Sequence, residues 1–357
     1  MLATLLSGDL PRSRWLAALL LAILLGLAAA PFVFPGTRSL NVAARILVFI
    51  LLVASYDLLL GYTGIVSFAH TMFFGIGGYG VGIAMSKLGP TWSGLAAGSA
   101  MALALAVALA FLVGLLSLRV KAIFFAMITL AVASFFQILA SQLSEFTGGE
   151  DGLNFKLPEL FLPGTKFTEA TLLGVELGGR LFSYYVVFAG ALALFLMLLR
   201  VVNSPFGRVL LSIRENEFRS EAIGYRTVAY RTVANCLGAA VAAAAGILYA
   251  IWLRYTGPDT TLSFNIMIDI LLMVVIGGMG TMYGAVLGAT IFVFAQNSLQ
   301  DLMKLASNAT QGLPLLPNLL HPDRWLLWLG VLFIVCVYYF PAGIVGRLRA
   351  LKAASPK

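Results

Sequence analysis

Again and again the sequence runs for close to twenty residues with few or no charges, and nothing else in it constrains the fold as tightly. A helix needs about 20 mainly apolar residues to cross the hydrocarbon core of a bilayer. Inside that core every backbone polar group must find a partner, which leaves helices or closed barrels. These runs are continuous rather than alternating, so a barrel is excluded. The expectation is an all-α polytopic membrane protein with about ten transmembrane helices. The runs are 15–34, 42–60, 72–85, 94–118, 122–143, 181–202, 232–253, 264–276, 285–303 and 325–340.

Composition agrees. The chain is 61% hydrophobic and 11% charged, less than half the roughly 25% charge of a soluble domain. The net charge of +8 reads as the Lys and Arg of cytoplasmic loops, and no nucleic acid is implied. Cys236 and Cys336 lie inside apolar runs without ligand spacing, so they read as packing residues, and no metal site is expected. The first run ends in Ala28-Ala29-Ala30, like a signal-peptide cleavage site. Pro31 follows at once and the apolar run continues, which favours a retained first helix.

A polar stretch at 144–180 divides the runs five and five. It carries six acids (Glu145, Glu150, Asp151, Glu159, Glu169, Glu176) against three bases (Lys156, Lys166, Arg180). Its prolines and glycines read as an external loop with turns rather than a domain. Five is odd, so the halves, about 15–143 and 181–341, have opposite orientations. That is the layout of inverted-repeat transporters with interrupted helices. The whole chain, 1–357, then reads as a single transmembrane permease domain. Basic residues at Arg119 and Lys121, at Arg208–Arg231, and in the tail (Arg347, Arg349, Lys352, Lys357) place these segments and both termini in the cytoplasm. Arg38 and Arg45 fall on the outer side and break that bias.

The stretch 203–231 differs from everything around it. Ser204-Pro205-Phe206-Gly207 is a helix stop and turn. Leu210, Leu211, Ile213, Glu217, Phe218, Glu221 and Ala222 then recur at helical spacing, and Gly224 ends the pattern as a C-cap glycine would. A mixed-charge helix on a membrane face is suited to a protein partner, whereas an anionic lipid surface would favour basic residues alone. A solvated loop helix is the bland alternative.

Each half contains one glycine-rich break, Gly61-x-x-Gly64 and Gly277-x-x-Gly280. Small residues follow each, with Ser67, Gly75 and Gly78 after the first and Gly284 and Gly288 after the second, while Gly278 sits inside the second break. Such breaks line transport paths, and plain helix packing is the alternative. The run 264–276 is too short to span without the residues beyond its break. The intramembrane ionisable residues are few, Asp57, His70 and Asp269, and such residues mark a water-filled path or a partner. For His70 a neutral imidazole bonded to a backbone carbonyl is favoured. Asp57, one turn before Gly61, is placed to cap the amides of a broken helix, and Asp269 to lie near the outer interface. No phosphate loop, zinc-protease or serine-hydrolase motif occurs, so no catalytic residue is assigned. A pore with no energy source is a channel, a secondary carrier, or one subunit of a pump powered by others.

Several motifs coincide in order from about residue 42 to 346. They are Asp57-Leu-Leu-Leu-Gly61-Tyr-Thr-Gly64-Ile-Val-Ser67-Phe-Ala-His70, Phe73-Phe-Gly75-Ile-Gly77-Gly78-Tyr79, and Thr147-Gly148-Gly149-Glu-Asp151-Gly152-Leu153. Then come Ser204-Pro-Phe-Gly-Arg208, Ile213-Arg214-Glu215-Asn216-Glu217, Glu221-Ala222-Ile-Gly224, Leu272-Met-Val-Val-Ile-Gly277-Gly278-Met-Gly280, and Phe340-Pro-Ala-Gly343. In these the chain resembles the LivM-type permease subunits of branched-chain amino-acid ABC importers of the bacterial inner membrane. Glu221-Ala222-x-Gly224 looks like a shortened ABC-permease coupling signature, so Arg214, Glu215, Asn216, Glu217, Glu221, Ala222 and Gly224 would meet an ATPase. The resemblance implies a second homologous permease, two ATP-binding subunits that use ATP, and an extracytoplasmic substrate-binding protein. It implies no cofactor in this chain and no enzymatic activity of its own. Branched-chain or other aliphatic amino acids are the expected cargo. The same family includes permeases for urea, short amides and aromatic acids, and outside it a self-sufficient carrier or channel is the alternative.

Overall fold

The computed structural model describes residues 14–33, 36–117, 122–172, 175–309, 321–340 and 343–346. The basic turn at Arg119 and Lys121, Pro341, and the basic tail lie outside them. Among the described residues, twelve helices carry the architecture: α1 (Arg14–Val33), α2 (Thr37–Thr63), α3 (His70–Leu88), α4 (Trp92–Ser117), α5 (Ala122–Gln142), α6 (Gly179–Asn203), α7 (Pro205–Glu215), α8 (Glu217–Ala222), α9 (Thr227–Leu253), α10 (Phe264–Gly277), α11 (Met282–Ala309) and α12 (Trp325–Tyr339). Among the described residues, eight helical segments are long and apolar enough to cross a bilayer. One is Pro258–Gly277, in which a π-helical turn, Pro258–Leu262, leads into α10. With α3 and α12, at 19 and 15 residues, these occupy the ten expected positions.

The two helices α2 and α9 form the centre. Their membrane-length windows are 89% and 67% buried, against 22–28% for α1, α4, α5 and α6, which face outward. The halves interlock rather than sit side by side. Helix α9 packs on α3 and α4, and α2 packs on α10 and α11. Exchanging α2 with α9, α3 with α10 and α4 with α11 maps one set of neighbours onto the other, as an inverted repeat requires. The caps follow the same rule. Gly64 closes α2 and Arg254 closes α9, both in the left-handed region, at φ 73° and 56°. Arg254 is the only non-glycine residue with positive φ among the described residues.

Glycine makes the interlock close. A Cβ on Gly77 would overlap the Ala243 carbonyl, and one on Gly246 the Phe74 carbonyl, so α3 and α9 touch backbone to backbone. Gly277 and Gly288 do the same for α10 and α11, against Gly284 and Met273. Without a hydrophobic driving force between helices in lipid, such close approach is what holds them together. Buried polar side chains add cross-ties. Asn235 Nδ2 donates to the Ala110 carbonyl at 2.8 Å. Helix α1 is built into the bundle by Tyr184 Oη, which donates to the Leu27 carbonyl at 2.5 Å, and Tyr185 Oη, which donates to Ala28 at 2.9 Å. Pro31 has no N–H to offer the carbonyl four residues back, and the tyrosine takes that place.

The acidic stretch is a loop with short ordered pieces. One helical turn (Ser144–Thr147) precedes β1 (Leu153–Asn154), and β2 (Lys166–Leu172) pairs antiparallel with β3 (Val175–Gly178). β1 pairs antiparallel with β4 (Tyr255–Thr256), just beyond α9. Arg180 Nη1 donates to Thr37 Oγ1 at 2.9 Å, which puts the start of α2 at this end of the bundle as well. The hairpin α7–α8 lies at the other end, where α2 finishes and α9 begins.

Candidate functional site

The chain between α2 and α3 does not simply turn. Gly64 to Ala69 is non-helical and doubles back beside α2, so that His70, the first residue of α3, lies against Ser55, more than two turns up α2. The Phe68 amide is satisfied by Thr129 Oγ1 of α5 at 3.0 Å, as non-helical backbone at membrane depth requires. The corresponding stretch of the second half is Arg254–Ser263, ahead of the 14-residue α10. The two interruptions meet at an aromatic contact, Phe68 with Phe264, with ring centroids 6.1 Å apart. Phe264, Asn265 and Ile268 are exposed on α10; in the first interruption Gly64 is exposed and Phe68 half-buried. Sequence reading missed Phe68 and Phe264 because an aromatic in an apolar run carries no signal of its own.

The paired glycine motifs are not repeat-equivalents. Gly61-x-x-Gly64 follows the second helix of its half and Gly277-x-x-Gly280 the third, so the exchange relating the halves does not superpose them. Helices α2 and α10 both run toward the hairpin, and their ends meet there. The Gly280 amide donates to Asp57 Oδ1 at 2.9 Å, and the Thr281 amide also faces that carboxyl group. Asp57 does cap broken-helix amides, but those of the other half. A Cβ on Gly61 would overlap Asp57 Oδ1 and the Gly280 amide, so only glycine permits this junction. Gly280, at φ 77°, needs a conformation that costs an L-residue about 1–2 kcal/mol.

The hairpin reaches this junction directly. Arg214, on α7, donates from Nη1 to the Gly61 carbonyl. A Cβ on Gly280 would lie 2.8 Å from the same Nη1, and one on Gly64 3.3 Å from Arg214 Cγ. Arg214, which the sequence expects to meet an ATPase, is exposed on the hairpin, and its guanidinium reaches the place where the halves touch. The expected single helix is also two. Asn216 breaks it with extended backbone and caps α8, its Oδ1 accepting from the Arg219 amide at 2.9 Å. Glu221 accepts from Thr227 Oγ1 at 2.7 Å, and Glu217 pairs with Arg231. Ile223 caps α8 and Gly224 follows it in the C′ place. The outer surface of the hairpin carries Phe218, 83% exposed, and Ile223, 68% exposed, among exposed Glu215, Arg219 and Ala222.

The other sequence-selected residues divide by surroundings. His70 is fully buried, with Nε2 2.8 Å from Ser55 Oγ. That hydroxyl donates its one proton to the Leu52 carbonyl at 2.7 Å, so the imidazole carries its proton on Nε2. Its partner is a hydroxyl, not the expected backbone carbonyl. Ser67 is buried in the re-entrant stretch, facing the Ala69 amide. Gly75 and Gly78 pack against Leu262 and Thr256 in the corresponding stretch of the second half, and Gly278 caps α10. In the acidic loop, Thr147 Oγ1 donates to Ala140 and Leu143, and Gly148 closes that helical turn. Tyr255 Oη donates to the Asp151 carbonyl at 3.0 Å, and a Cβ on Gly152 would meet the Thr256 carbonyl. Gly149 lies buried beside Ser144. The motif docks this loop onto the second interruption. Burial, and then the charge of Arg180, lowers the pKa of Arg254 there.

Comparison with known proteins gives this geometry its context. The family model described as branched-chain amino acid transport system / permease component matches residues 38–337. The high-affinity branched-chain amino acid transport system permease protein LivM of Salmonella typhimurium is 26% identical over 85% of this chain and 73% of its own length. LivM of Escherichia coli is 28% identical over the same shares, and a probable LivM of Methanocaldococcus jannaschii is 28% identical over 69% and 67%. No solved structure matches. A match across most of the chain, on a fold with two interlocked inverted halves, establishes that this protein belongs to the family of permease components of branched-chain amino acid transport systems.

Proposed function

We propose that the chain carries branched-chain or other aliphatic amino acids inward as one permease subunit of an ABC importer, with α7–α8 as the surface that an ATPase moves. The observation that supports this most is Arg214. One side chain joins the exposed hairpin to the point where Asp57, Gly61 and Gly280 hold the two halves together. A shift of the hairpin therefore shifts both interruptions at once, and a ligand that holds the hairpin differently in two states biases the pore between two states. Phe218 and Ile223 supply the apolar contact that such a partner needs at the centre of an interface. In this reading two ATP-binding subunits use the ATP, and a second homologous permease covers the exposed face of Gly64, Phe68, Phe264 and Asn265, so that substrate passes between the two. A binding protein delivers cargo at the acidic-loop end, and the hairpin and both termini lie in the cytoplasm of a bacterial inner membrane.

The test is purification of the tagged chain from membranes of cells expressing its neighbouring subunits, followed by reconstitution. ATPase subunits should co-purify, and L-leucine uptake should require both ATP and binding protein. Uptake by the chain alone in liposomes would identify a self-sufficient carrier or channel instead. Uptake of urea or a short amide in preference to leucine would change the cargo and leave the mechanism standing.

A further inference from the structure

Arg38 and Arg45 sit on the outer side, against the charge bias of the loops, and the structure gives them a common setting. Arg45 lies on α2, about 12 Å of helix from its start, where a charge without a purpose is costly. Arg38 is satisfied by Asp301 at 2.9 Å. Arg45 has no carboxylate within ion-pair distance among the described residues; its guanidinium lies over the Phe49 ring, 5.2 Å from the centroid, and its buried Nε has no hydrogen-bond partner. Both arginines line a cavity of about 280 Å³ with Asn41, Val42, Tyr249, Trp252, Leu253 and Asn297. Beside it Asp269 is held by Gln296 and feels the charge of Arg45, and Gln296 Oε1 is buried without a partner. Trp252 Nε1 donates to Asn41 Oδ1 at 3.2 Å, which fixes one wall.

We infer that this cavity is a binding site for a small amino acid on the acidic-loop side, its carboxylate taken by Arg45 and its side chain laid against Tyr249, Trp252 and Leu253. The inference rests on the proposed transport of amino acids and adds to it a place and a contact. A guanidinium that is stacked on a ring and lacks a carboxylate partner is set to receive a planar anion bidentately. The cavity has room for one small molecule and not for a peptide, and aromatic walls with a few placed polar groups are what such sites consist of. Asp269 stands within reach of the field of Arg45. The same two arginines would also suit a lipid phosphate, and a test must separate the two.

The experiment uses the complete transporter in membranes, with Val42→Cys introduced after Cys236→Ala and Cys336→Ala. L-Leucine and 4-methylpentanoate, which both keep the carboxylate, should slow modification of the new thiol by an impermeant reagent, whereas leucinamide should not. Arg45→Gln should raise the KM for leucine uptake by about tenfold or more, with Arg45→Lys in between. Arg45→Gln combined with Asp269→Asn should not restore it, since recognition of the carboxylate is still missing. The inference is overturned if the wild type transports leucine while leucine gives no protection. It is equally overturned if Arg45→Gln keeps the wild-type KM, if the double variant recovers it, or if protection follows the anionic lipid content of the membrane rather than leucine. If the wild type moves no amino acid with its partners present, the transport reading itself has failed, which is a different result.

Discussion

At the scale of single residues, the junction of Asp57, Gly61, Arg214 and Gly280 makes the sharpest demands. Arg214→Gln keeps an N–H donor on a shorter side chain and loses the charge and the fork that reaches the Gly61 carbonyl. Its uptake should fall about tenfold, the size of one charge-assisted hydrogen bond, while ATPase subunits still co-purify. Loss of co-purification with normal uptake per assembled complex would mean that Arg214 acts at the partner surface after all. Gly61→Ala should cost about 1–3 kcal/mol through overpacking, because its Cβ has no space beside Asp57 and Gly280; thermal unfolding of the purified protein measures it. Gly64→Leu and Gly280→Leu add backbone strain at left-handed positions next to Arg214. Both should assemble and transport poorly. Normal transport by both would reduce these glycines to packing residues.

At the scale of elements, the hairpin should bind through its apolar tip rather than through its charges. Phe218→Ser with Ile223→Ser should insert normally and lose the ATPase subunits, scored by co-purification. Glu221→Lys needs a control, since Glu221 already accepts a hydrogen bond from Thr227. Thr227→Val removes that bond without reversing charge. If both variants fail alike, the fault lies within the hairpin; if only Glu221→Lys fails, the carboxylate faces the partner. The existence of this element was legible in sequence, because a mixed-charge stretch between apolar runs has few explanations. Its internal break was not. Asn216 can continue a helix or cap one, and only the Arg219 amide decides which. The glycine breaks were legible in the same incomplete way. Spacing showed Gly61-x-x-Gly64 and Gly277-x-x-Gly280 as a pair, but which ends meet depends on helix direction, and local sequence does not carry that. For His70 the partner is Ser55 rather than a backbone carbonyl, and Ser55 lies fifteen residues away and comes near only because the chain doubles back.

At the scale of the whole molecule, the ten-span order was the most legible feature, because bilayer thickness imposes a length on every run. Single cysteines at Glu159 and Phe218, in a background lacking Cys236 and Cys336, should label from opposite sides of the membrane. Labelling of both from outside would remove the proposed orientation. The interlock of the halves has a further consequence, for how the protein is made. Helix α2 is the most buried span, and much of its cover comes from α9 and α11. Those helices are synthesised more than a hundred residues after it. During synthesis Asp57 and the backbone-contact face at Gly77 therefore wait in the membrane without their mates. A chain stopped after residue 143 should insert its helices and yet be degraded, whereas supplying residues 144–357 as a separate polypeptide should rescue it. Pulse-chase of the two fragments, apart and together, would show whether the first half of this protein survives only as long as the second is on its way.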